Sequence, residues 1–258
     1  MIEKIPDSRR KICRIGNFFP AFARKAEDVF VHFALFLIYN RKKGVGLRNR
    51  KGVFMKKLVT ISREYGSGGR IIGRLVAEKL GVPFYDKEII DMAVEKSGLS
   101  REIVETAELR AKSSFSYSLS SAMNFGEGMM SEPVSVNEKL FITQFDVINQ
   151  IGDIGEGVIV GRCADYILKD MPGVTNIFIH GELEDRIKRC IDVYGVDKKK
   201  ARETVMTYDK ARANYYNYHT CQKWGQYSNY NLAINSSYIS EERAADLIVE
   251  YMNTRTYK

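Results

Sequence analysis

The stretch Leu58-Val-Thr-Ile-Ser-Arg-Glu-Tyr-Gly-Ser-Gly-Gly-Arg70 decides the fold of this chain. Its first five residues are rich in β-branched and apolar side chains and predict a short strand. A glycine-rich turn follows, and apolar residues then recur at helical spacing from Arg70 to Leu80, where Gly81 ends the pattern. Strand, glycine turn and helix in this order favour phosphate binding, because glycines let backbone N–H groups approach an anion at the positive end of the helix.

The glycine turn departs from the usual phosphate-binding loop, GxxxxGK[ST], in two respects. No lysine follows the last glycine, so Arg70 is the nearest cation. Ile71 and Ile72 stand where a hydroxyl normally holds Mg²⁺, which leaves Ser67 or Ser62 as candidates. A tight strand–helix turn without a ligand is the alternative interpretation. The predicted phosphate contacts are Arg63, Gly66, Ser67, Gly68, Gly69 and Arg70.

Beyond this turn, short strand candidates alternate with helical patterns. The strand candidates are 82–85, 158–160, 176–179 and 232–234, and the helix candidates are 87–97, 100–111, 136–151, 183–194, 197–216 and 241–252. Residues 112–134, rich in Ser, Gly and Met, predict a loop, and the Tyr-rich stretch 215–230 predicts irregular structure. This alternation predicts an α/β fold in which helices cover both faces of a parallel sheet.

Charged residues follow two of the predicted strands. Arg162 comes directly after strand 158–160, at the edge where α/β sheets bind ligands, and suits bidentate contact with a phosphate. Pairing with Asp165 is the alternative. Asp86 follows the second strand and is predicted to orient a nucleophile or to hold Mg²⁺ through water, or else to cap a helix.

Further cations stand on two predicted helices. They are Arg186 and Arg189, three residues apart and so on one helix face, and Lys210 and Arg212 on the next helix. Phosphoryl transfer needs several such cations to hold a polyphosphate and to offset charge in the transition state. Solvated surface side chains are the alternative for each of them.

The net charge of +8 comes from one end of the chain. Residues 1–54 contain thirteen Lys and Arg against four Asp and Glu, whereas residues 55–258 contain 27 against 28. The body of the protein is therefore almost neutral, and we expect no nucleic-acid partner.

The basic segment 1–54 is predicted to be an extension of a single domain that spans residues 55–258. Its segment Val29–Tyr39 is a run of eleven uncharged residues, whereas a membrane span needs roughly 20, so we expect no stable membrane insertion. Three interpretations remain open for the extension: a start site placed too far upstream of Met55, a basic interfacial helix, and an added helix packed on the domain.

The four cysteines, at positions 13, 163, 190 and 221, form no CxxC pair and match no zinc spacing. Reduced thiols in a cytoplasmic protein are the simplest interpretation. Apart from the candidate hydroxyls of Ser67 and Ser62 at the glycine turn, no residue is predicted to be a direct metal ligand.

Taken together, these segments resemble the cytidylate kinase-like family, a branch of the nucleoside-monophosphate kinases with a P-loop three-layer sandwich and a helical lid. The resemblance covers about Lys57 to Met252. It is carried by Ile61-Ser-Arg-Glu-Tyr-Gly-Ser-Gly-Gly-Arg70, Phe84-Tyr-Asp-Lys-Glu-Ile89, Ile159-Val-Gly-Arg162, Asp209-Lys-Ala-Arg212, Tyr215, Trp224 and Asn231-Leu-Ala-Ile-Asn235.

The resemblance implies ATP and Mg²⁺ as cofactors, with the ATP phosphates on the glycine loop and Asn235 near the ATP base. It places Asp86 near the acceptor phosphate and Arg162 in the Gly-Arg element that grips cytidine monophosphate, although Cys163 stands where the family usually has aspartate. Catalytic roles are implied for Arg70, Asp86, Arg186 and Arg212, the last two at the boundaries of a lid over about 205–230.

The first hypothesis is therefore transfer of the γ-phosphoryl group of ATP to a pyrimidine nucleoside monophosphate. The missing lysine leaves two alternatives open. One is a nucleotide-binding regulatory module that transfers phosphate weakly, and the other is a kinase of a non-nucleotide metabolite. The oligomeric state is not predicted.

Overall fold

A computed structural model of the chain describes residues 57–97 and 136–255. The extension 1–54, the predicted helix 100–111 and the predicted loop 112–134 lie outside the described residues. Helices are numbered below in the order in which they occur within the described ranges.

Five parallel strands form one sheet in the order β2-β3-β1-β4-β5. The strands are β1 Lys57–Arg63, β2 Phe84–Tyr85, β3 Glu156–Val160, β4 Val174–His180 and β5 Leu232–Asn235. The register pairs Val59 with Val158 on one side of β1 and with Thr175 on the other. Because all strands run the same way, their carboxyl ends, including Arg63 and Asn235, meet at one edge of the sheet.

Seven α-helices connect or flank these strands in the described residues. They are α1 Gly69–Leu80, α2 Glu88–Ser97, α3 Val136–Ile154, α4 Ala164–Ile167, α5 Leu183–Asp192, α6 Ala201–Thr220 and α7 Glu241–Thr254, with a 3₁₀ turn at Tyr227–Asn229. None of the helices in these ranges is long and apolar enough to cross a bilayer.

The main core lies between the sheet and the helix pair α1 and α7. Alternate residues of β1, such as Val59 and Ile61, are fully buried against Ile72 of α1 and close to Ile248 of α7 in one cluster. Asn176, on the other face of the sheet, donates from Nδ2 to the Asp165 carbonyl of α4 at 3.4 Å. The predicted α/β fold with helices on both faces of a parallel sheet is therefore confirmed.

Local signals fixed several element ends as expected. Gly81 ends α1 in the left-handed conformation, with φ of 65°, and the N–H of Val82 donates to the carbonyl of Ala77 at 3.0 Å. Because the N–H of Val82 takes part in the hydrogen bond that ends α1, β2 begins only at Phe84 and is shorter than the predicted strand 82–85. Ser240 caps α7 by accepting a hydrogen bond from the N–H of Arg243.

The Tyr-rich stretch is partly helical, contrary to the prediction of irregular structure. Helix α6 continues to Thr220, because Tyr216 and Thr220 face inward and are buried. His219 also stacks on Phe141 of α3 with ring centroids 3.8 Å apart. These contacts outweigh the weak helix propensity of the tyrosines.

Candidate active site

The glycine loop joins β1 to α1 at the carboxyl edge of the sheet. Gly66 and Gly68 have φ of 81° and 75°, a region that side chains other than glycine rarely adopt. A Cβ at Gly66 would lie 2.6 Å from the carbonyl oxygen of Arg186, and one at Gly69 would lie 2.7 Å from the Cβ of Arg63. The glycines are therefore required both by backbone conformation and by close packing.

Hydrogen bonds within and around the glycine loop hold it in place up to the start of α1. Ser67 is buried, and its hydroxyl donates to the Glu64 carbonyl at 2.9 Å. The N–H groups of Glu64 and Tyr65 donate to the Ile179 carbonyl and to Asp209 Oδ1. The N–H of Ile72 makes the first turn's bond to the Gly68 carbonyl at 3.0 Å, so the N–H groups just before it lack an intrahelical acceptor. This geometry suits an anion.

Asp86 sits between two arginines at the β2 side of the loop. Its Oδ2 lies 2.6 Å from Nε of Arg70, and its Oδ1 lies 3.9 Å from Nη2 of Arg63. Gly161 leaves room for Arg63, since a Cβ there would overlap Nη1 at 2.0 Å. The carboxylate of Asp86 thus ties the end of β1 to the start of α1.

Burial lowers the pKa of Arg63 to about 9, and the nearby positive charge of Arg212 lowers it as well. Arg162 and Arg70 contribute in the same direction, while Asp86 opposes them. The structure therefore brings four predicted site arginines to one region around Asp86, where positive charge is concentrated.

Arg186, in the first turns of α5, is buried and fully engaged with the glycine loop. Its Nη1 donates to the Tyr65 carbonyl at 3.1 Å and to Asp209 Oδ2 at 2.5 Å. Its Nε lies 3.0 Å from the Gly181 carbonyl and 3.2 Å from Glu64 Oε2. The guanidinium therefore holds the loop to α5 and α6 in this conformation.

Arg212 lies on the same side, one turn further along α6 from Asp209. Its Nη1 donates to the carbonyl of Arg63 at 3.0 Å, and its Cζ lies 5.4 Å from the ring centroid of Tyr65. Tyr65 also stacks on Tyr208 of α6, with centroids 4.2 Å apart. Burial lowers the pKa of Arg212, which marks a desolvated position beside the loop.

Arg162 follows β3 in a turn of unusual backbone conformation. Gly161, Arg162 and Cys163 all have positive φ, of 77°, 57° and 56°. The Asp165 carboxylate accepts a hydrogen bond from the hydroxyl of Tyr216 at 2.7 Å. Cys163 is buried, and burial raises the pKa of its thiol. The thiol is therefore uncharged and does not supply the negative charge that an aspartate would supply at this position.

Asn235 ends β5 and bridges two turns rather than reaching the loop. Its Nδ2 donates to Glu182 Oε1 at 3.0 Å, and its Oδ1 accepts from the N–H of Ser237 at 3.1 Å. Beside it, between the ends of β4 and β5 and the segment after α6, lies a cavity of about 370 Å³. Its lining is Glu64, Phe178, His180, Trp224, Gly225, Tyr227, Tyr230 and Ala233.

Three acidic participants, Glu64, Asp209 and Glu241, were not among the predicted site residues. Glu64 and Asp209 are the acidic partners of Arg186, and Arg189, a candidate cation from the sequence, lies against Gly68 and pairs with Glu241. The sequence carried a signal for Asp209, because it precedes Arg212 in the family-like stretch. No local pattern pointed to Glu241.

The model of the cytidylate kinase-like family matches residues 58–238. No curated protein matches the chain. The solved structure of an uncharacterized protein from Eubacterium ventriosum is 28% identical over 77% of this chain and 99% of that chain, with a TM-score of 0.57. Shikimate kinase from Acinetobacter baumannii, in complex with shikimate, is 13% identical over 80% of this chain and 98% of its own, with a TM-score of 0.45.

Deoxyadenosine kinase from M. mycoides with bound dATP is 14% identical over 76% of this chain and 99% of its own, with a TM-score of 0.34. The family match extends from β1, through the glycine loop and all five strands, to the turn after β5, and so covers well over half of the sequence. The chain belongs to the cytidylate kinase-like family.

Proposed function

We propose that this protein transfers the γ-phosphoryl group of ATP to a small acceptor, with a pyrimidine nucleoside monophosphate as the first choice. One observation carries the proposal: N–H groups at the start of α1 that lack an intrahelical acceptor adjoin a cluster of arginines around Asp86. Family membership supports phosphotransfer in general terms, and Arg162 at the end of β3 supports a phosphorylated acceptor.

In this proposal, catalysis is mostly positioning and charge neutralisation. The glycine loop holds the donor phosphates through backbone N–H groups. Arg63 and Arg70, which the sequence assigned to the donor phosphates, lie beside Asp86 and are proposed to surround the acceptor phosphate together with Arg162. Asp86 holds Arg63 and Arg70 in place and orients the acceptor. Arg186 and Arg212 add positive charge on the α6 side of the loop.

The residues around the loop fit Mg²⁺ as a partner of the substrate rather than as a caged ion. The described residues contain no group of three or more His, Cys, Asp or Glu side chains placed to hold a metal. Mg²⁺ in kinases is typically bound through one or two carboxylates, waters and substrate phosphates. Asp86 supplies a carboxylate at the carboxyl edge of the sheet, where the glycine loop also lies. The ion would offset negative charge on the phosphates.

Helix α6 and the segment that follows it are proposed as the lid over about 205–230. Asp209, Arg212 and Tyr208 of α6 all contact the glycine loop or its flanking strand end. A lid attached at the loop itself would exclude water from the donor phosphates, which protects ATP from hydrolysis.

The decisive experiment is a coupled assay for ADP with ATP, Mg²⁺ and a panel of acceptors. The panel contains cytidine, deoxycytidine, uridine, adenosine and guanosine monophosphates together with small hydroxylated metabolites. We expect turnover to be highest with a pyrimidine monophosphate, and Arg162→Ala to weaken binding of labelled cytidine monophosphate.

If only a hydroxylated metabolite is turned over, the acceptor is that metabolite and not a nucleoside monophosphate. ATP binding without ADP production from any acceptor would contradict the proposal and favour a nucleotide-binding regulatory module. Arg70→Lys, which places a lysine next to the last loop glycine without adding a Cβ at Gly69, should then raise activity in a module that has lost transfer.

A further inference from the structure

Three of the arginines near the glycine loop are bonded to other groups of the protein. Arg70, which is nearest to the place of the missing lysine, is bonded to Asp86 at 2.6 Å on the β2 side. Arg186 donates to two carbonyls and pairs with two carboxylates, and Arg212 donates to the Arg63 carbonyl. Each of them therefore already has a structural partner in the loop or beside it.

Arg189 occupies a different position, directly beside the last loop residue before α1. A Cβ at Gly68 would lie 3.2 Å from Cζ of Arg189, 3.3 Å from Nη1 and 3.5 Å from Nη2. The guanidinium thus lies flat against Gly68, and the lack of a side chain at that position gives it access to the first turn of α1. A larger residue at position 68 would push the guanidinium away.

The charge around Arg189 favours an additional anion. A guanidinium next to the positive end of a helix is a repulsive arrangement unless negative charge lies between or beside them. Glu241, the first residue of α7, pairs with Nη1 of Arg189 and partly offsets this charge. A guanidinium has five N–H donors, so a pair made through one nitrogen leaves donors for a phosphate.

We propose that Arg189 replaces the missing loop lysine by donating hydrogen bonds to the β- or γ-phosphate of the nucleotide, and that Glu241 orients the guanidinium of Arg189. This inference rests on the proposed function, since it needs a polyphosphate in the glycine loop. Arg189 is then a donor-binding residue of α5, whereas Arg186, one turn away, is the residue that holds the loop.

The test is calorimetry on the full chain with ATP, ADP, inorganic tripolyphosphate and adenosine. Loss of charge-assisted hydrogen bonds predicts that Arg189→Gln weakens ATP and tripolyphosphate binding by about 10- to 100-fold, with little change for adenosine. Arg189→Lys keeps the positive charge but lacks the forked donors of the guanidinium, so its affinity for ATP should lie between those of the wild type and Arg189→Gln. Glu241→Gln should weaken ATP binding by less than Arg189→Gln.

The matched control is Arg202→Gln, which removes an arginine from the exposed pair of Arg202 with Glu184 and should leave nucleotide affinity unchanged. Thermal melting of each variant establishes that it is folded. Wild-type affinity for ATP in a folded Arg189→Gln variant, or equal weakening of adenosine, overturns the inference while the proposed function stands. A wild-type protein that binds neither ATP nor tripolyphosphate overturns both.

Discussion

The carboxylate of Asp209 accepts a hydrogen bond from the backbone N–H of Tyr65 at 2.7 Å, although the two residues are 144 positions apart in the chain. The other oxygen of Asp209 binds Arg186, which in turn donates to the Tyr65 carbonyl. One carboxylate of α6 therefore holds both the backbone N–H of Tyr65 and the arginine that binds its carbonyl, so α6 is joined directly to the glycine loop.

Replacement of Asp209 by alanine should loosen this connection. The variant leaves the N–H of Tyr65 without its acceptor and removes one of the two carboxylates that partner the buried Arg186, so we expect the free energy of unfolding to fall by about 1–3 kcal/mol. Urea denaturation measures the change. Glu184→Ala, which breaks the exposed pair with Arg202, is the control and should cost less than about 1 kcal/mol. Equal effects of the two variants would show that Asp209 contributes no more than a surface charge.

Gly66→Ala should damage the loop through both strain and collision. The left-handed backbone costs about 1–2 kcal/mol for a residue with a Cβ, and the approach to the Arg186 carbonyl at 2.6 Å adds overpacking of about 1–3 kcal/mol. Gly195→Ala is a matched control, because Gly195 has φ of 67° and nothing within 4 Å of its would-be Cβ.

Urea denaturation of both glycine variants separates the two effects. We expect Gly195→Ala to show the backbone cost alone and to bind ATP normally, whereas Gly66→Ala is less stable and binds ATP weakly. If the two variants lose the same stability, the close approach of Arg186 to the loop is not tight in solution.

The glycine loop was predictable from sequence because all its determinants are local: strand, glycines and helix are contiguous from Leu58 to Leu80. The partners of the arginines were not predictable, since Asp209 reaches Arg186, and Glu241 reaches Arg189, only after the sheet has brought α6 and α7 to its edge. Helix α6 also extends to Thr220, beyond its predicted end at residue 216. Its extension depends on the burial of Tyr216 against Asp165, a tertiary contact that local helix propensity cannot predict.

Asp165 predicts a specific dependence of stability on pH. Burial raises the pKa of its carboxyl from the ordinary 3.8 to about 6, although the hydroxyl of Tyr216 stabilises the charged form. Between pH 4 and 6 the folded state thus binds more protons than the unfolded state, so this group makes the protein less stable as pH rises through that window. A rise of the pKa from 3.8 to about 6 corresponds to about 3 kcal/mol of folding free energy.

Asp165→Asn keeps the acceptor for Tyr216 and removes the titration. We expect the variant to gain stability relative to wild type as pH rises from 4 to 7, by up to about 3 kcal/mol, as measured by urea denaturation at several pH values. The exposed Asp170→Asn is the control and should follow the wild type throughout. A constant difference between Asp165→Asn and wild type across this range would refute the raised pKa.

Asp86→Asn tests the acceptor side of the site. The substitution keeps the shape of the side chain but removes the charge that holds Arg70 at 2.6 Å and Arg63 at 3.9 Å, so the two guanidiniums are no longer fixed. Misplacement of positioning groups by about 1 Å costs on the order of 10²-fold in rate, and we expect a loss of that size in kcat/KM for the best acceptor. The affinity for ATP should change little, because the glycine loop and Arg189 remain intact. Steady-state assays with each substrate varied in turn separate the two effects, with Asp170→Asn as the control. Unchanged kcat/KM for every acceptor would leave Asp86 with a structural role only, as the carboxylate that joins β1 to α1.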